Sequence, residues 1–174
     1  MKIIGLCVAI LVLPTVALAQ SVGEKSGVNS VLGVSPSTQD FVTEAAISDM
    51  FEIEAGQLAQ SKGQNTKEFG ATLVKDHTAT SQELKSLVSS GKIPGRVPEE
   101  LDSSHKSKLD KLQTLSGADF DKQFINDNVS GHKDDVSLFE RYAKSGDNPE
   151  LKAFAEKNLP TLQHHLQMAQ ELNK

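Results

Sequence analysis

Apolar residues recur along most of this chain at the three- and four-residue spacing of amphipathic helices. Phe41, Ala45, Phe51, Ala55, Leu58 and Ala59 share one stripe when placed at about 100° per residue. Phe69, Leu73, Leu84 and Leu87 form a second, and Phe124, Ile125, Val129, Val136, Phe139 and Ala143 a third. Leu151, Ala155, Leu162, Leu166 and Ala169 form a fourth. Helix start and stop residues punctuate each stripe. Ser37 and Asp40 open a helix from about Thr38 to Lys62, closed by Gly63. Asn65 and Glu68 box a helix from about Thr66 to Ser90, followed by Gly91. After the turn segment KIPGRVP, Leu101, His105, Leu109 and Leu112 predict a short helix from about Glu99 to Leu115. Ser116 and Asp119 open a helix to about Ser145, and Asn148 with Pro149 opens the last, to about Leu172. Pro160 inside that last helix should kink it or free a carbonyl. No alternating strand pattern competes. Four long helices in two tight hairpins, joined by a longer connection with a short helix, predict an all-α four-helix bundle with a crossover.

Gln20 to Ser37 is rich in Gly and Ser, lacks a period and reads as a flexible tether. Lys2, the apolar run Ile3–Leu13 and Ala17-Leu18-Ala19 read as a secretory signal over residues 1–19. The domain organisation is therefore a signal peptide (1–19), a tether (20–37) and a helical bundle (38–173). Export, a periplasmic site and possible association with the outer membrane follow as expectations. No second apolar run is long enough to span a membrane in the mature chain.

Cleavage would remove Cys7, the only cysteine, and with it any disulfide, thiolate-ligated metal or cysteine nucleophile. It would leave 17 basic and 23 acidic side chains. With no basic stripe and no Trp, nucleic-acid binding is not expected.

Polar residues interrupt the stripes at one level. Glu52 falls near the middle of the first. Asp76, His77 and Thr80 fall on the second. His132 is near the centre of the third, flanked by Asn128 and Asp135, and His165 lies on the fourth. Glu52 lies about twelve positions before the first hairpin turn and His77 about thirteen after it. At 1.5 Å per residue they reach nearly the same height. The corresponding offset of His132 and His165 is roughly 5 Å. All four long helices can therefore contribute to one polar cluster in mid-bundle.

A buried ionisable group is costly unless paired, so such a cluster has two readings. It is a hydrogen-bonded network that sets helix register within a structural or protein-interaction module of the cell envelope. Alternatively Glu52, Asp76, His77, His132 and His165 hold a small ligand or a single metal ion such as iron, zinc, manganese or copper. The two Glu-x-x-His pairs of a carboxylate-bridged di-metal site are missing, which favours one ion. His105 and His164 read as face residues. No phosphate-binding glycine loop, G-x-S-x-G elbow or H-E-x-x-H motif supports an enzyme.

Four stretches carry a family resemblance: DFVTEAAISDMFEIEAGQLAQSKG, EFGATLVKDHTAT, FDKQFINDNVSGHKDDVSLFE and LPTLQHHLQMAQEL. Together they resemble the exported bacterial ferritin-like family known as domain of unknown function 4142, whose members are often labelled putative outer membrane proteins. The likeness spans about Gln39 to Leu172. Its most specific marks are the Asp-His pair on the second helix and the Leu-Pro…His-Leu pattern on the last. The resemblance implies a ferritin-like bundle and recurring polar positions at Glu52, Asp76, His77, His132 and His165. It implies no particular activity.

Overall fold

The computed structural model describes residues 21–174, which form helices and loops with no strand among them. In chain order the helices are α1 (Val22–Lys25), α2 (Val28–Leu32), α3 (Thr38–Lys62), α4 (Lys67–Ser89), α5 (Ser103–Gln113), α6 (Gly117–Ser145) and α7 (Pro149–Leu172). The expected signal peptide lies outside the described residues. No helix among the described residues is long and apolar enough to cross a membrane.

The long helices start and stop where local chemistry says they should. The Ser37 hydroxyl accepts the Asp40 amide at 3.1 Å and so caps α3. Asn148 does the same for α7 through the Leu151 amide at 3.0 Å, with Pro149 at the first helical position. The α3–α4 turn is organised differently from the expected Asn65–Glu68 box. Thr66 is the N-cap of α4 and makes no side-chain cap. The turn's donors go to Asp121 of α6, whose carboxylate accepts from Gln64 N at 3.0 Å, Asn65 N at 2.8 Å and Thr66 Oγ1 at 2.7 Å. One acid thereby fixes the first hairpin to the second. The last helix runs unbroken through Pro160. Proline has no N–H, so the Glu156 carbonyl lacks its intrahelical donor.

The two hairpins, α3–α4 and α6–α7, pack side by side. Thr38 bonds Tyr142, Ser48 bonds Asp135 and Gln64 bonds Asp121, so α3 and α6 run antiparallel. Asp76 meets His165 and Glu83 meets Lys157, so α4 and α7 also run antiparallel. The order is up–down–down–up, which obliges the α4–α6 connection to travel the bundle's length. It is tied at one end by Gln39 to the Arg96 carbonyl and at the other by Lys62 to the Gln113 carbonyl. Between these ties α5 lies against α3 and α6.

The core has two apolar clusters. One gathers Phe41, Leu84, Phe139, Tyr142, Leu151 and Phe154. The other gathers Phe51, Phe69, Leu73, Phe120, Phe124 and Ala169. By position along the helices, His77, His132 and His165 fall between the two, while Glu52 lies within the span of the second, next to Phe51.

Glycine sets the α3–α4 spacing beside the second cluster. A Cβ on Gly56 would stand 2.7 Å from the Gly70 carbonyl oxygen, and one on Gly70 would stand 2.7 Å from both Ala59 Cβ and the Gly56 carbonyl oxygen. Backbone cannot yield as a side-chain tip can. Gly70→Ala is therefore expected to push the helices apart and cost about 1–3 kcal/mol, measurable by urea unfolding. Unchanged stability would show that the crossing tolerates a wider spacing.

Residues 21–34, expected to be part of a tether, form two short helices laid against α6. Glu24 is buried and ion-pairs with Arg141, whose Nη1 also donates to the Val34 carbonyl at 2.7 Å. The Ser21 amide donates to Asp40 at 2.8 Å. These anchors are single polar contacts between residues far apart in sequence, so hydrophobic periodicity carries no trace of them.

Candidate metal centre

His77, His132 and His165 come from α4, α6 and α7 and meet in the middle of the bundle. Their ring centroids are 5.7 Å apart for His77–His132 and 5.3 Å apart for the other two pairs. One ring nitrogen from each lies within 4.8 Å of the other two. All three residues are at most 2% exposed. The Phe69 ring stands edge-on to His165 at 6.5 Å, so aromatic carbon borders the polar layer.

Each imidazole is held from behind by an oxygen. His77 Nδ1 is 2.8 Å from Asp49 Oδ1. His132 Nδ1 donates to the Asn128 carbonyl at 3.1 Å. His165 Nε2 is 3.1 Å from Asp76 Oδ2. In the neutral form of each ring the nitrogen bonded to oxygen carries the proton, which leaves the other as a lone pair. Those others are His77 Nε2, His132 Nε2 and His165 Nδ1. All three are buried and none has a hydrogen-bond partner. A closed polar network would pair them, because an unmet buried acceptor is costly. Glu52 Oε2 and Asp49 Oδ2 are also buried without partners.

The electrostatics follow from this packing. Burial, together with charge on His77 and His165, holds His132 well below the usual imidazole range. Burial and His77 also press His165 down to about 4, against the opposing pull of Asp76. Both are therefore neutral at pH 7, the protonation state a metal ligand needs. Burial works against a charged His77 too, but its hydrogen bond to Asp49 and the nearby acids outweigh this and raise it. Burial raises Asp49 as well. The two directions agree on one point: a proton stays between Asp49 and His77. Burial lifts Glu52 to about 8, so its carboxyl is largely protonated at neutral pH.

The five residues read from the stripes therefore fall into three positions. His77, His132 and His165 form the ring. Glu52 is buried on α3 but lies outside the set of mutually close ligand atoms. Asp76 is an outer anchor, its side chain 28% exposed. Asp49 plays the same anchoring part for His77, and stripe reasoning missed it. The signal was present: Asp49 precedes Glu52 by three residues, which puts both acids on one face of α3. His105 is half-buried and bonds Asp102 at the start of α5, and His164 is exposed. The hollows beside α5 are lined by Glu54, Leu109 and Gln113 and touch none of the ring residues.

The family described as "Domain of unknown function (DUF4142)" matches residues 23–172. Comparison with curated proteins finds no match. Among solved structures, "CopM in the Cu(II)-bound form" aligns with a TM-score of 0.65 at 17% identity, covering 79% of this chain and 96% of that one. At that identity the likeness is one of fold.

Proposed function

We propose that this chain, which belongs to the DUF4142 family, is an exported protein that holds one transition-metal ion on His77, His132 and His165. The observation that carries this reading is the set of three buried, unpartnered ring nitrogens, each opposite a nitrogen held by an oxygen and so free as a lone pair in the neutral ring. Outer-shell oxygens that orient imidazoles in this way are a regular part of histidine metal sites. A purely register-setting network gains nothing from leaving three acceptors unmet.

Three neutral imidazoles suit copper, zinc, iron or nickel, and Cu(II) binds such nitrogen sites most strongly of the divalent series. The Cu(II)-bound state of the structural neighbour agrees with copper as the first choice. Metal–imidazole bonds of about 2.0–2.1 Å span at most about 4.2 Å between two nitrogens, so the ring draws in slightly on loading. Burial of the ring leaves no surface on which an organic substrate could lie, which favours holding an ion over turnover. The signal-like leader supports a role in the cell envelope.

Equilibrium dialysis of metal-free protein against buffered Cu(II) tests the reading. One ion per chain is expected, and none at the same free concentration once His77, His132 and His165 are all replaced by Gln. Equal uptake by both proteins would refute it.

A further inference from the structure

We infer that the ion enters and leaves through the seam between α4 and α7, where the Asp76 carboxylate captures it and His165 hands it inward. This rests on the metal reading above and adds a direction of exchange to it.

The three ring anchors differ in one respect that bears on access. Asp49, behind His77, has a side chain only 4% exposed. The anchor of His132 is a main-chain carbonyl inside α6. Asp76 alone reaches solvent, at 28%, while its partner His165 is 1% exposed. One hydrogen bond of 3.1 Å thus separates water from the ring at this point. The Asp76 carboxylate has a second oxygen, Oδ1, whose nearest cation is Lys75 at 3.9 Å, on a side chain 87% exposed. Such a pair is weak and readily displaced by an arriving cation.

The other seams are better closed at this level. The Gly56–Gly70 contact brings α3 and α4 together backbone to backbone. Ser48 bonds Asp135 at 2.7 Å between α3 and α6, and α5 lies outside both. Leu138 of α6 and Leu162 of α7 are both buried in the first apolar cluster. Around Asp76 the wall is thinner. Thr72 and Thr80, one turn to either side, are half-buried, and their hydroxyls bond carbonyls of their own helix (Glu68 and Asp76) rather than α7. On the facing helix, Pro160 removes one backbone hydrogen bond just before His165.

Capture by an acid outside the ring has a kinetic signature that a purely orienting acid lacks. Uptake is followed by stopped-flow mixing of metal-free protein with Cu(II). Release is followed by mixing loaded protein with excess EDTA. Asp76→Asn is expected to slow uptake about tenfold, because a local acid raises the encounter rate of a cation. Asp49→Asn should leave uptake within about twofold and speed release instead, by loosening His77. Glu83→Gln removes an equal charge from the same helix and should change neither rate. Thr80→Leu narrows the seam without changing the ring or the anchoring carboxylates, removing only a hydroxyl bond to the Asp76 main-chain carbonyl, and should slow uptake and release together at unchanged affinity. This last variant carries the test if Asp76→Asn does not fold. Asp76→Asn with normal uptake and faster release would reduce Asp76 to an orienting residue and overturn the inference. Equal slowing by Glu83→Gln, or Thr80→Leu rates like wild type, would overturn it too. Wild-type protein that takes up no Cu(II) would instead remove the metal reading on which it stands.

Discussion

Cu(II) loading is expected to raise the stability of the folded protein by about 4 kcal/mol when free ion is a thousandfold above Kd. For a domain of this size that corresponds to a rise in Tm of roughly 10 °C. The same addition to His132→Ala should produce almost none. His132 is the sharpest ring position to remove, because it is fully buried, its second nitrogen is held by the α6 main chain, and it faces both other imidazoles. Truncation also opens a cavity, so the metal-free variant melts lower for reasons unrelated to metal. The comparison is therefore between loaded and metal-free forms of each protein, in which that cost cancels. Differential scanning calorimetry at neutral pH reads it directly. A rise that persists in His132→Ala would place the binding elsewhere, with the exposed His164 and half-buried His105 the first suspects.

The second large effect is expected far from the ring. Glu44 is half-buried on α3, with its Oε1 buried and unpartnered. Burial, with the negative charge of Glu24, Asp40 and Asp135, raises its carboxyl to about 8 against the opposing pull of Arg141. The acid is therefore protonated in the folded protein at neutral pH but ionised in the unfolded chain. A raised folded-state value means a contribution fully present below about pH 4.5 and lost as pH rises through about 8. The loss is on the order of 2–3 kcal/mol, allowing for partial solvent access. Glu44→Gln keeps the shape and cannot ionise. It should match wild type near pH 5 and be more stable than wild type near pH 8.5, as urea unfolding at the two values would show. Parallel pH profiles for the two proteins would contradict this.

Much of the fold was legible because local and global signals agree. Ser37, Gly63, Asn148 and Pro149 mark helix ends that the structure places within a residue of the reading. The ring histidines were legible for a simple reason: each sits where an apolar residue belongs, and counting from the hairpin turns put them within about one helical turn of a common height. Less visible were the groups that act across the bundle. Asp121 serves a turn more than fifty residues away, and Arg141 holds Glu24 across 117 positions. No periodicity encodes either contact. Asp76 was read as part of the central cluster because it falls on the second apolar stripe together with His77. Neighbours on a helix diverge by about 100°, and that rotation carries Asp76 to the rim, where it meets His165.

The central claim is that one ion sits on three particular nitrogens. Electron paramagnetic resonance of the Cu(II)-loaded protein tests it most directly, using a chain in which His105 and His164 are both changed to Gln so that only the buried ring can supply imidazole. The account predicts one copper per chain with couplings from three imidazole nitrogens, lost when His77, His132 and His165 are also changed to Gln. Copper that fails to bind once the two outer histidines are gone, or that stays after the ring is removed, would contradict it.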